Sequence, residues 1–575
     1  MKSSNRPPDI IYFNGKVVTV DENFTIAEAV AIRGERFSAV GDNANIKELA
    51  GPETKQIDLK GKTVVPGFID GHQHFQGAGG VFLAEKRGLS LAYVGSVKDI
   101  QKVIKEAVAR TKPGDWIVTT PIGEPHKNEL VPEILKEKRL PNRWDLDSVS
   151  PANPVWISVP SDNYAYRHGI ANSYALRLAN VTKDTLAVIP GTEFNGEVVK
   201  DPKTGEPTGV FALGHGFRAH PIARVLPSTF EESVEGVKEA CKRFSAVGVT
   251  SVMDIHGGNA RSIRVYQEVL AGNELTVRIT NSLSVNRRKP LSEICADLRN
   301  FRAVFQGMGD DMFKVRGVAG LDIDAPPNNG LCWQRFEYIG ISGKRGYGLQ
   351  TLDKETHKQI CLECAKLNLQ VMTKASGGAA IDMCLANYEE VDEEIPIRGM
   401  RWLIQHCPFP SKENAEQCRR LGVIPLVHTN FLWCKGSTYV KFFGKEVTEQ
   451  AVPLRWLLDA GVTVVQASDS GQAGWGWFHE PMFVIWQSIS RKDGLTGEVF
   501  SPEQTITREE ALKIYTINAA YATFEEDIKG SIEPGKLADL VILSNDILTC
   551  PLDEIKDTKV LMTMVGGKTV YESEN

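Results

Sequence analysis

Two histidines, His72 and His74, lie one residue apart in the stretch VVPGFIDGHQHF, at the end of an apolar run. The chain has only 11 histidines among its 575 residues, so such a close pair calls for an explanation. Side chains at positions i and i+2 of a strand point to the same face. Both imidazoles can therefore reach one metal ion, since a zinc–nitrogen bond is about 2.0–2.1 Å long. A pair of this kind is weak evidence alone and needs further groups at comparable positions.

Other polar residues follow apolar runs farther along the chain. They are Lys314 after MF, Lys374 after LQVMT, His406 after RWLIQ and Asp469 after VTVVQAS. These residues recur at the carboxyl ends of predicted strands, which is where the active site of a parallel barrel lies. Asp469 offers a hard oxygen that can also accept a proton from metal-bound water. Taken singly, His406 can be an ordinary core histidine and Asp469 a turn residue, but their shared placement favours a site.

Helical patterns alternate with short apolar runs through the middle of the chain. FEESVEGVKEACKRFSAVG precedes VTSVMD, KETHKQICLECAKLN precedes LQVMT, and KENAEQCRRLG precedes VIPLV. Each of these helices closes with Gly or Asn, which is a C-terminal stop signal. Repeated helix–strand units predict parallel strands, either in an open α/β sheet or in a (β/α)₈ barrel. The pattern does not choose between the two.

The two ends of the chain are predicted to be β structure. The first 65 residues contain short β-branched runs with turns at Asn14-Gly15 and Gly34-Glu35, and the last 45 or so contain a similar turn at Gly566-Gly567. Because chain termini often lie close together, the two segments can form one β domain. Residues from about 85 to 225 fit the helix–strand rhythm poorly and look like turns and irregular chain, so we interpret them as an insertion that can cover a site.

Composition excludes several classes of protein. A formal net charge of -6 gives no basic face, so we expect no nucleic-acid partner. MKSSNRPP at the start lacks an apolar core, and no run of about 18 apolar residues occurs, so we expect neither a secretory signal nor a membrane span. We therefore predict a cytoplasmic protein whose 10 cysteines are mostly reduced. The CxxC of Cys361 and Cys364 has no second pair, so we favour helix packing over a metal or redox role.

Several longer stretches together resemble a known family. They are NGKVVTVDENFTIAEAVAIRGERFSAVG, IDLKGKTVVPGFIDGHQHF, ANSYALRLANVT with DPKTGEPTGV, SDS at 468–470, LTGEVFSPEQTITREEALKIYTINAAYATFEED and GSIEPGKLADLVIL. Nearly the whole chain resembles the amidohydrolase superfamily, and within it the YtcJ-like group (amidohydrolase 3) that includes N-substituted formamide deformylases. The resemblance implies a (β/α)₈ TIM barrel over residues 66–525, and a flanking β-sandwich built from residues 1–65 and 526–575.

The resemblance also implies a chemistry and a set of residues. Family members bind one or two divalent metals and hydrolyse amide, imide, formyl or similar C–N bonds. His72 and His74 match the ligands after barrel strand one, and His406 matches the ligand after strand six. Lys314, in FKVRGVAG, matches a lysine that can become carboxylated and bridge two metals. Asp469 matches the aspartate after strand eight, which serves as base and ligand.

Lys374 departs from the family pattern. It stands where the group has a histidine ligand after strand five, and Gly378 stands where the group has an aspartate. A protonated lysine has no lone pair for a metal, and its charge repels a second cation. We therefore expect a single divalent metal, zinc, rather than two. The aspartate–glycine pair that follows the strand-four lysine in the family is also changed here.

Four roles for Lys374 remain open. Its ammonium can replace the charge of the second metal and hold a substrate carboxylate or a developing oxyanion. With a depressed pKa it can transfer protons or act as a nucleophile. Carboxylation would return an oxygen ligand. Lastly, it can pair with Asp469 or another carboxylate in a site that has lost activity.

Aromatic residues near the predicted site suggest a flat substrate. Trp433 lies in NFLW, and Trp475 and Trp477 lie in GWGWFHEP just after Asp469. Such side chains can clasp an aromatic ligand, although they can equally be core. His256, at the end of VTSVMDIH, is predicted to line the pocket without binding the metal.

We therefore predict a metal-dependent hydrolase of a C–N bond in a small molecule that is aromatic or anionic. Asp469 takes a proton from metal-activated water, His406 stabilises the oxyanion or completes metal binding, and Lys374 holds an anionic group or stabilises charge. One alternative is a decarboxylase, another lyase or a C–C hydrolase that uses Lys374 on the same scaffold. A second is a catalytically silent binding protein. For an enzyme of this size a homodimer is the expected assembly.

Overall fold

The structure is a computed structural model that describes residues 6–123, 132–159, 168–188, 197–212, 221–226, 229–327, 330–341, 343–471 and 479–574. Its strands are β1 Ile10–Phe13, β2 Lys16–Val18, β3 Ile26–Ala27, β4 Ala29–Arg33, β5 Arg36–Gly41, β6 Lys55–Asp58, β7 Thr63–Pro66, β8 Phe68–Gln73, β9 Ile117–Val118, β10 Val155–Val159, β11 His168–Ala171, β12 Glu197–Lys200, β13 Pro207–Ala212, β14 Val249–Gly258, β15 Arg278–Ser284, β16 Phe313–Asp322, β17 Tyr338–Ile339, β18 Arg345–Gly346, β19 Val371–Ala375, β20 Leu403–His406, β21 Ile424–Val427, β22 Val465–Gln466, β23 Leu540–Leu543, β24 Val560–Val565 and β25 Lys568–Glu572.

The α-helices are α1 Asn43–Lys47, α2 Phe75–Lys86, α3 Val97–Val108, α4 Arg143–Asp147, α5 Ser173–Leu178, α6 Phe230–Ala246, α7 Ala260–Ala271, α8 Leu291–Val304, α9 Lys354–Lys366, α10 Gly378–Glu394, α11 Lys412–Leu421, α12 Asn430–Phe443, α13 Lys445–Thr448, α14 Leu454–Asp459, α15 Pro481–Ser490, α16 Arg508–Ile514 and α17 Ile517–Ala522. Within the described residues, none of these helices combines the length and the apolar character needed to cross a membrane.

Strands from both ends of the chain form two packed sheets. One sheet has the order β5-β4-β1-β6 and the other the order β25-β24-β23-β7-β2-β3. Tyr12 and Val30 of the first sheet share one hydrophobic core with Val64 and Leu540 of the second. Strand β23 pairs antiparallel with β7, so the last part of the chain is joined directly to the segment that leads into β8. The termini therefore build one β-sandwich beside the central domain.

Eight parallel strands form the central barrel. Their order is β8-β14-β15-β16-β19-β20-β21-β22, and a parallel bridge between Gln73 and Ser470 brings the last strand back to the first. Strand β19 is buried at every position, as expected for a parallel strand covered on both faces. Apolar side chains that include Ile69, Met253 and Leu426 fill a common core cluster. The predicted (β/α)₈ barrel with its flanking sandwich is confirmed.

The segment between α2 and α6 differs from its predicted character. It contains a five-stranded sheet of order β12-β13-β11-β10-β9, and it has a hydrophobic core of its own that includes Ile100, Leu146 and Ile157. These strands are only two to six residues long and are separated by turns. Strands this short leave little periodicity to detect, which explains why the segment looked irregular.

Cys361 and Cys364 lie on α9 and are fully buried in the main core. Burial raises the pKa of both thiols well above the usual value, so neither is an activated thiolate. The ten cysteines of the chain are free thiols. Helix packing accounts for the CxxC spacing.

Candidate metal centre at the carboxyl end of the barrel

His72, His74 and Asp469 converge at one point of the barrel rim. Oδ1 of Asp469 lies 3.2 Å from Nε2 of His72 and 3.2 Å from Nε2 of His74. One ligand atom from each of the three residues lies within 4.8 Å of the other two. His72 and Asp469 are buried, whereas His74 is partly exposed. Two imidazoles and a carboxylate around a small common volume are a donor set that suits a divalent ion such as zinc.

Asp70 ties the two loops that carry these ligands. Its Oδ1 accepts hydrogen bonds from the backbone N–H of His72, at 3.2 Å, and of Ser468, at 3.0 Å. Its Oδ2 accepts from Gln73 Nε2, at 2.5 Å, and from the Tyr515 hydroxyl, at 3.1 Å. Burial raises the pKa of Asp70, and these donors act against that shift by stabilising the carboxylate. One buried carboxyl group therefore holds β8 and the segment before Asp469 together.

The backbone turns sharply where Asp469 and His406 leave their strands. Asp469 has φ 57° and His406 has φ 68°, a left-handed conformation that is uncommon for residues with a Cβ. The Asp469 N–H donates to the His72 carbonyl oxygen at 3.0 Å. A Cβ added at Gly471 would lie 2.2 Å from the His74 carbonyl oxygen, so only glycine allows this close approach. The two ligand-bearing loops are thus packed backbone against backbone.

Two further histidines, His406 and His428, lie beside His72. The ring centroids of His406 and His428 are each 5.4 Å from that of His72 and 4.7 Å from each other. The Phe431 ring stacks against both, at 4.7 Å from His428 and 5.8 Å from His406. The aromatic face of Phe431 fixes the planes of the two imidazoles. Four histidines and one aspartate therefore occupy the same end of the barrel.

The site favours neutral imidazoles at His406 and His428 and an ionised carboxylate at Asp469. Burial lowers the pKa of His428 to about 3. Desolvation, and next the neighbouring His428, hold the pKa of His406 well below its usual value. For Asp469, burial acts to raise the pKa, but hydrogen bonds from His72 and His74 and charge interactions with His72 and His406 hold it well below the usual range. Neutral imidazoles and a carboxylate are the forms that bind metals.

Lys374 is engaged with Asp324 at the end of β19. Its Nζ lies 2.5 Å from the Asp324 backbone carbonyl oxygen and 3.3 Å from Oδ1, and both side chains are buried. The Asp324 carboxylate also accepts hydrogen bonds from the backbone N–H groups of Ser376, Gly377 and Trp333. Burial raises the pKa of Asp324, while the Lys374 charge and these donors lower it. Lys374 is therefore paired with a carboxylate, but that carboxylate belongs to Asp324 and not to Asp469.

Lys314 lies elsewhere, and its prediction as a metal ligand is corrected. It is the second residue of the ten-residue strand β16, so it lies at the amino end of the barrel. Its Nζ is 2.7 Å from Oε1 of Glu525 and 3.4 Å from Asp311. A lysine held in these ion pairs at the opposite end of the strand cannot reach His72. On β16, Ala319 belongs to the core cluster inside the barrel.

The structure describes the surroundings of only one of the four side chains that were predicted to contact substrate. Trp433 packs edge-on against Phe483 and Trp486, with ring centroids 5.5 and 5.4 Å away, which supports the core interpretation. Trp475 and Trp477 lie outside the described residues. The same holds for the side chain of His256, whose backbone is part of β14. A role for these last three residues stays a prediction.

Sequence reasoning missed His428 and Asp324. His428 directly follows VIPLV, the predicted seventh barrel strand, so the rule that pointed to His406 and Asp469 would have found it. Asp324 lies two residues beyond the end of β16, within LDIDAPP. No local pattern indicates that its partner is a lysine 50 residues farther along the chain.

Comparison with known proteins agrees with this architecture. Residues 55–571 match the model of the amidohydrolase family. The chain is 26% identical to an N-substituted formamide deformylase of Arthrobacter pascens, over 98% of each chain. It is 23% identical to the putative amidohydrolase YtcJ of Bacillus subtilis, over 98% of this chain and 99% of that one.

A solved structure shares the fold. An uncharacterized metal-dependent hydrolase from Pyrococcus furiosus superposes with a TM-score of 0.72 at 21% identity, covering 94% of this chain and 100% of that chain. The match to the family spans the barrel and reaches into both parts of the sandwich. The chain therefore belongs to the amidohydrolase family and is a hydrolase that acts on carbon–nitrogen bonds.

Proposed function

We propose that the chain hydrolyses the C–N bond of a small amide, N-formyl, imide or cyclic-amide substrate, and that it does so with one divalent metal, zinc. The observation that carries this proposal is the convergence of ligand atoms from His72, His74 and Asp469 within 4.8 Å of one another. When bound there, the ion would polarise the substrate carbonyl and lower the pKa of a water molecule. The proton transfers and the contact with the substrate oxygen are carried out by side chains.

Asp469 is suited to the proton transfers. Its pKa is held well below the usual range, so its carboxylate is ionised at neutral pH and has lone pairs free of a proton. Asp469 takes a proton from the attacking water as the water oxygen bonds to the carbonyl carbon. It then delivers that proton to the nitrogen as the C–N bond breaks, so the products are a carboxylic acid and an amine, or an acid and an amide from an imide.

Lys374 is suited to holding an oxygen of the substrate. A lysine ammonium has three N–H donors, and two of them are directed at Asp324. The third can donate to a carbonyl oxygen as negative charge develops on it. The contacts with Asp324 engage the Nζ atom of Lys374, which does not favour its use as a nucleophile. Borohydride trapping of a substrate adduct on Lys374 would reverse this and favour the lyase alternative.

The substrate class rests on the relatives and on the aromatic wall of the site. The relative from Arthrobacter pascens is named for deformylation of N-substituted formamides. Phe431, stacked on His406 and His428, contributes an aromatic ring to the wall of the site. A small N-substituted formamide with a flat substituent is therefore the first substrate to test.

The test combines metal analysis with activity. Wild type is expected to hold about one zinc per chain and to hydrolyse at least one member of a panel of N-alkyl formamides, N-aryl formamides, amides and cyclic imides. The Asp469→Asn variant should lose at least about 100-fold in kcat, since general acid–base catalysis contributes that much or more. Asp459→Asn, on the exposed side of α14, is the matched control. Wild-type turnover by Asp469→Asn would refute the assignment of the base.

A further inference from the structure

His428 has a free lone pair in a buried position. The residue follows β21 directly and is 1% exposed. Its Nδ1 lies 3.1 Å from the carbonyl oxygen of Ala467, while its Nε2 has no hydrogen-bond partner among the residues that the structure describes. A carbonyl oxygen only accepts, so the proton of the neutral ring is on Nδ1 and the lone pair is on Nε2. A buried acceptor without a partner is costly, so a ligand for this atom is expected.

The hydrogen bond and the stacking of the His428 ring match those of a metal-binding histidine, although its nitrogens lie outside the set of ligand atoms that converge within 4.8 Å. Such histidines almost always donate their other ring N–H to a backbone carbonyl or a carboxylate, which fixes the tautomer and the ring plane. Ala467 provides the carbonyl, and Phe431 stacks on the ring with centroids 4.7 Å apart. The ring lies edge-to-face with His72, the histidine that contacts Asp469, with centroids 5.4 Å apart.

A third histidine would also resolve a conflict at Asp469. Under the proposed function, Asp469 is both a metal ligand and the base that accepts a proton. A carboxylate bound to a cation is a weaker base, since the cation stabilises its charged form. Catalytic zinc sites have three protein ligands and leave a fourth position for water. Three histidines would fill those three positions and leave a carboxylate oxygen to face the water.

We propose that His428 is the third nitrogen ligand of this centre, so that His72, His74 and His428 bind the metal and Asp469 serves mainly as the base. The inference rests on the proposed function, because it concerns the same ion. Under this assignment, the third nitrogen ligand comes from the residue after β21. Strand β19 does not provide it, because Lys374 on that strand is paired with Asp324.

The affinity for Zn²⁺ alone tests this assignment, measured by competition with a chromogenic chelator on the full-length chain. His428→Gln is expected to weaken zinc binding at least about 10-fold, since even partners outside the ligand set cost 10–100-fold. His357→Gln is the matched control, because His357 is fully buried but has both ring nitrogens hydrogen-bonded, to Thr373 and Asn387. Unchanged affinity in His428→Gln would overturn the inference.

X-ray absorption of the zinc-loaded wild type and of His406→Gln provides a test that needs no change at position 428. Three imidazoles are expected in both proteins. Two in wild type, or a drop from three to two in His406→Gln, would overturn the assignment of His428. Retained zinc affinity in His428→Gln together with lost turnover in Asp469→Asn would refute only this inference. Weakened zinc binding in His428→Gln with full turnover in Asp469→Asn would refute only the proposed base, and no zinc in wild type would refute both.

Discussion

The Nζ atom of Lys374 lies 2.5 Å from the carbonyl oxygen of Asp324 and 3.3 Å from Oδ1 of the same residue. Both side chains are almost fully buried, at 7% and 0% exposure. A charge in such a position depends on its partner, because water is not there to solvate it. The pair therefore acts as one unit, and replacing one member alone is expected to change the stability of the fold differently from replacing both.

Removing the lysine alone should destabilise the chain. Lys374→Met leaves the Asp324 carboxylate buried without its cation, which typically costs about 3–5 kcal/mol in the free energy of unfolding. The measurement is urea-induced unfolding at pH 7, followed by tryptophan fluorescence. The double variant Lys374→Met with Asp324→Asn should recover part of the loss, since the buried charge is then gone. A single variant within about 1 kcal/mol of wild type would contradict this account.

Lys314→Met should leave the metal in place. The Lys314 ammonium is paired with Glu525 at the amino end of the barrel, away from His72 and His74. Zinc content per chain, measured by elemental analysis, is expected to equal that of wild type, whereas His72→Ala should lose most of the zinc. Loss of zinc from Lys314→Met without unfolding would restore Lys314 as a candidate ligand.

The contribution of Glu525 to stability should depend on pH. Burial acts to raise its pKa, but Lys529 and Lys314 lower it to about 2, below the ordinary value of 4.5. A carboxyl group with a depressed pKa stabilises the fold above its unfolded-state pKa, and that contribution is lost as pH falls through the folded-state value.

Wild type and Glu525→Gln should therefore differ most in unfolding free energy above about pH 4.5, by on the order of 3 kcal/mol. The difference should shrink as the pH is lowered towards 2. Urea titrations at a series of pH values measure it, with Glu416→Gln on the exposed face of α11 as a control. A difference that stays constant from pH 7 to pH 3 would contradict the assignment.

Two glycines of α2 provide a matched pair for the packing of the ligand loops. A Cβ at Gly77 would lie 2.2 Å from the carbonyl oxygen of Gly471, whereas a Cβ at Gly80 would meet nothing within 4 Å. Gly77→Ala should push the His74 and Asp469 loops apart and weaken zinc binding by about 10-fold or more, as changes around metal ligands do. Gly80→Ala should leave zinc affinity unchanged and add up to about 1 kcal/mol of stability through helix propensity. Equal zinc affinities in the two variants would show that the loops tolerate separation.

Loss of the Tyr515 hydroxyl is expected to lower zinc affinity less than replacement of Asp70, the carboxyl group that it contacts. Tyr515→Phe removes one of the donors to Asp70, at 3.1 Å, and should cost about 1 kcal/mol in unfolding free energy. Asp70→Asn disturbs the acceptors for His72 N–H and Ser468 N–H at once, and should lower zinc affinity at least about 10-fold. Chelator competition on both variants measures this, and the reverse order of effects would contradict the assigned role of Asp70.

The barrel, and the convergence of His72, His74 and Asp469 at its rim, could be predicted because each of these residues follows an apolar run that forms a parallel strand. The same rule wrongly predicted Lys314 to lie in the site, and there is a physical reason for the error. Strand β16 runs over ten residues, and the lysine lies at its start, where a short apolar pair before it looked like the strand itself. Apolar pattern locates a strand but does not tell which end of a long one a residue occupies.

The partner of Lys374 could not be predicted for a different reason. Asp324 is brought to it by the pairing of β16 with β19, in which Asp322 lies opposite Lys374. That register includes an irregularity between Val318 and Leu321, which local sequence does not indicate. Long-range pairing of charges depends on register, whereas the type of each strand depends on local composition.

The bridge between Gln73 and Ser470 has a consequence for how the chain reaches its native state. The Gln73 side-chain amide also donates a hydrogen bond to the Ser468 hydroxyl, which is 395 residues away along the chain. Contacts between such distant residues slow folding, since a long loop must close before they form. During synthesis, β8 must wait for β22, and β7 must wait for β23, until nearly the whole polypeptide has left the ribosome. The same event that closes the barrel brings Asp469 to the two histidines, so an unfinished chain does not yet contain the assembled candidate metal centre.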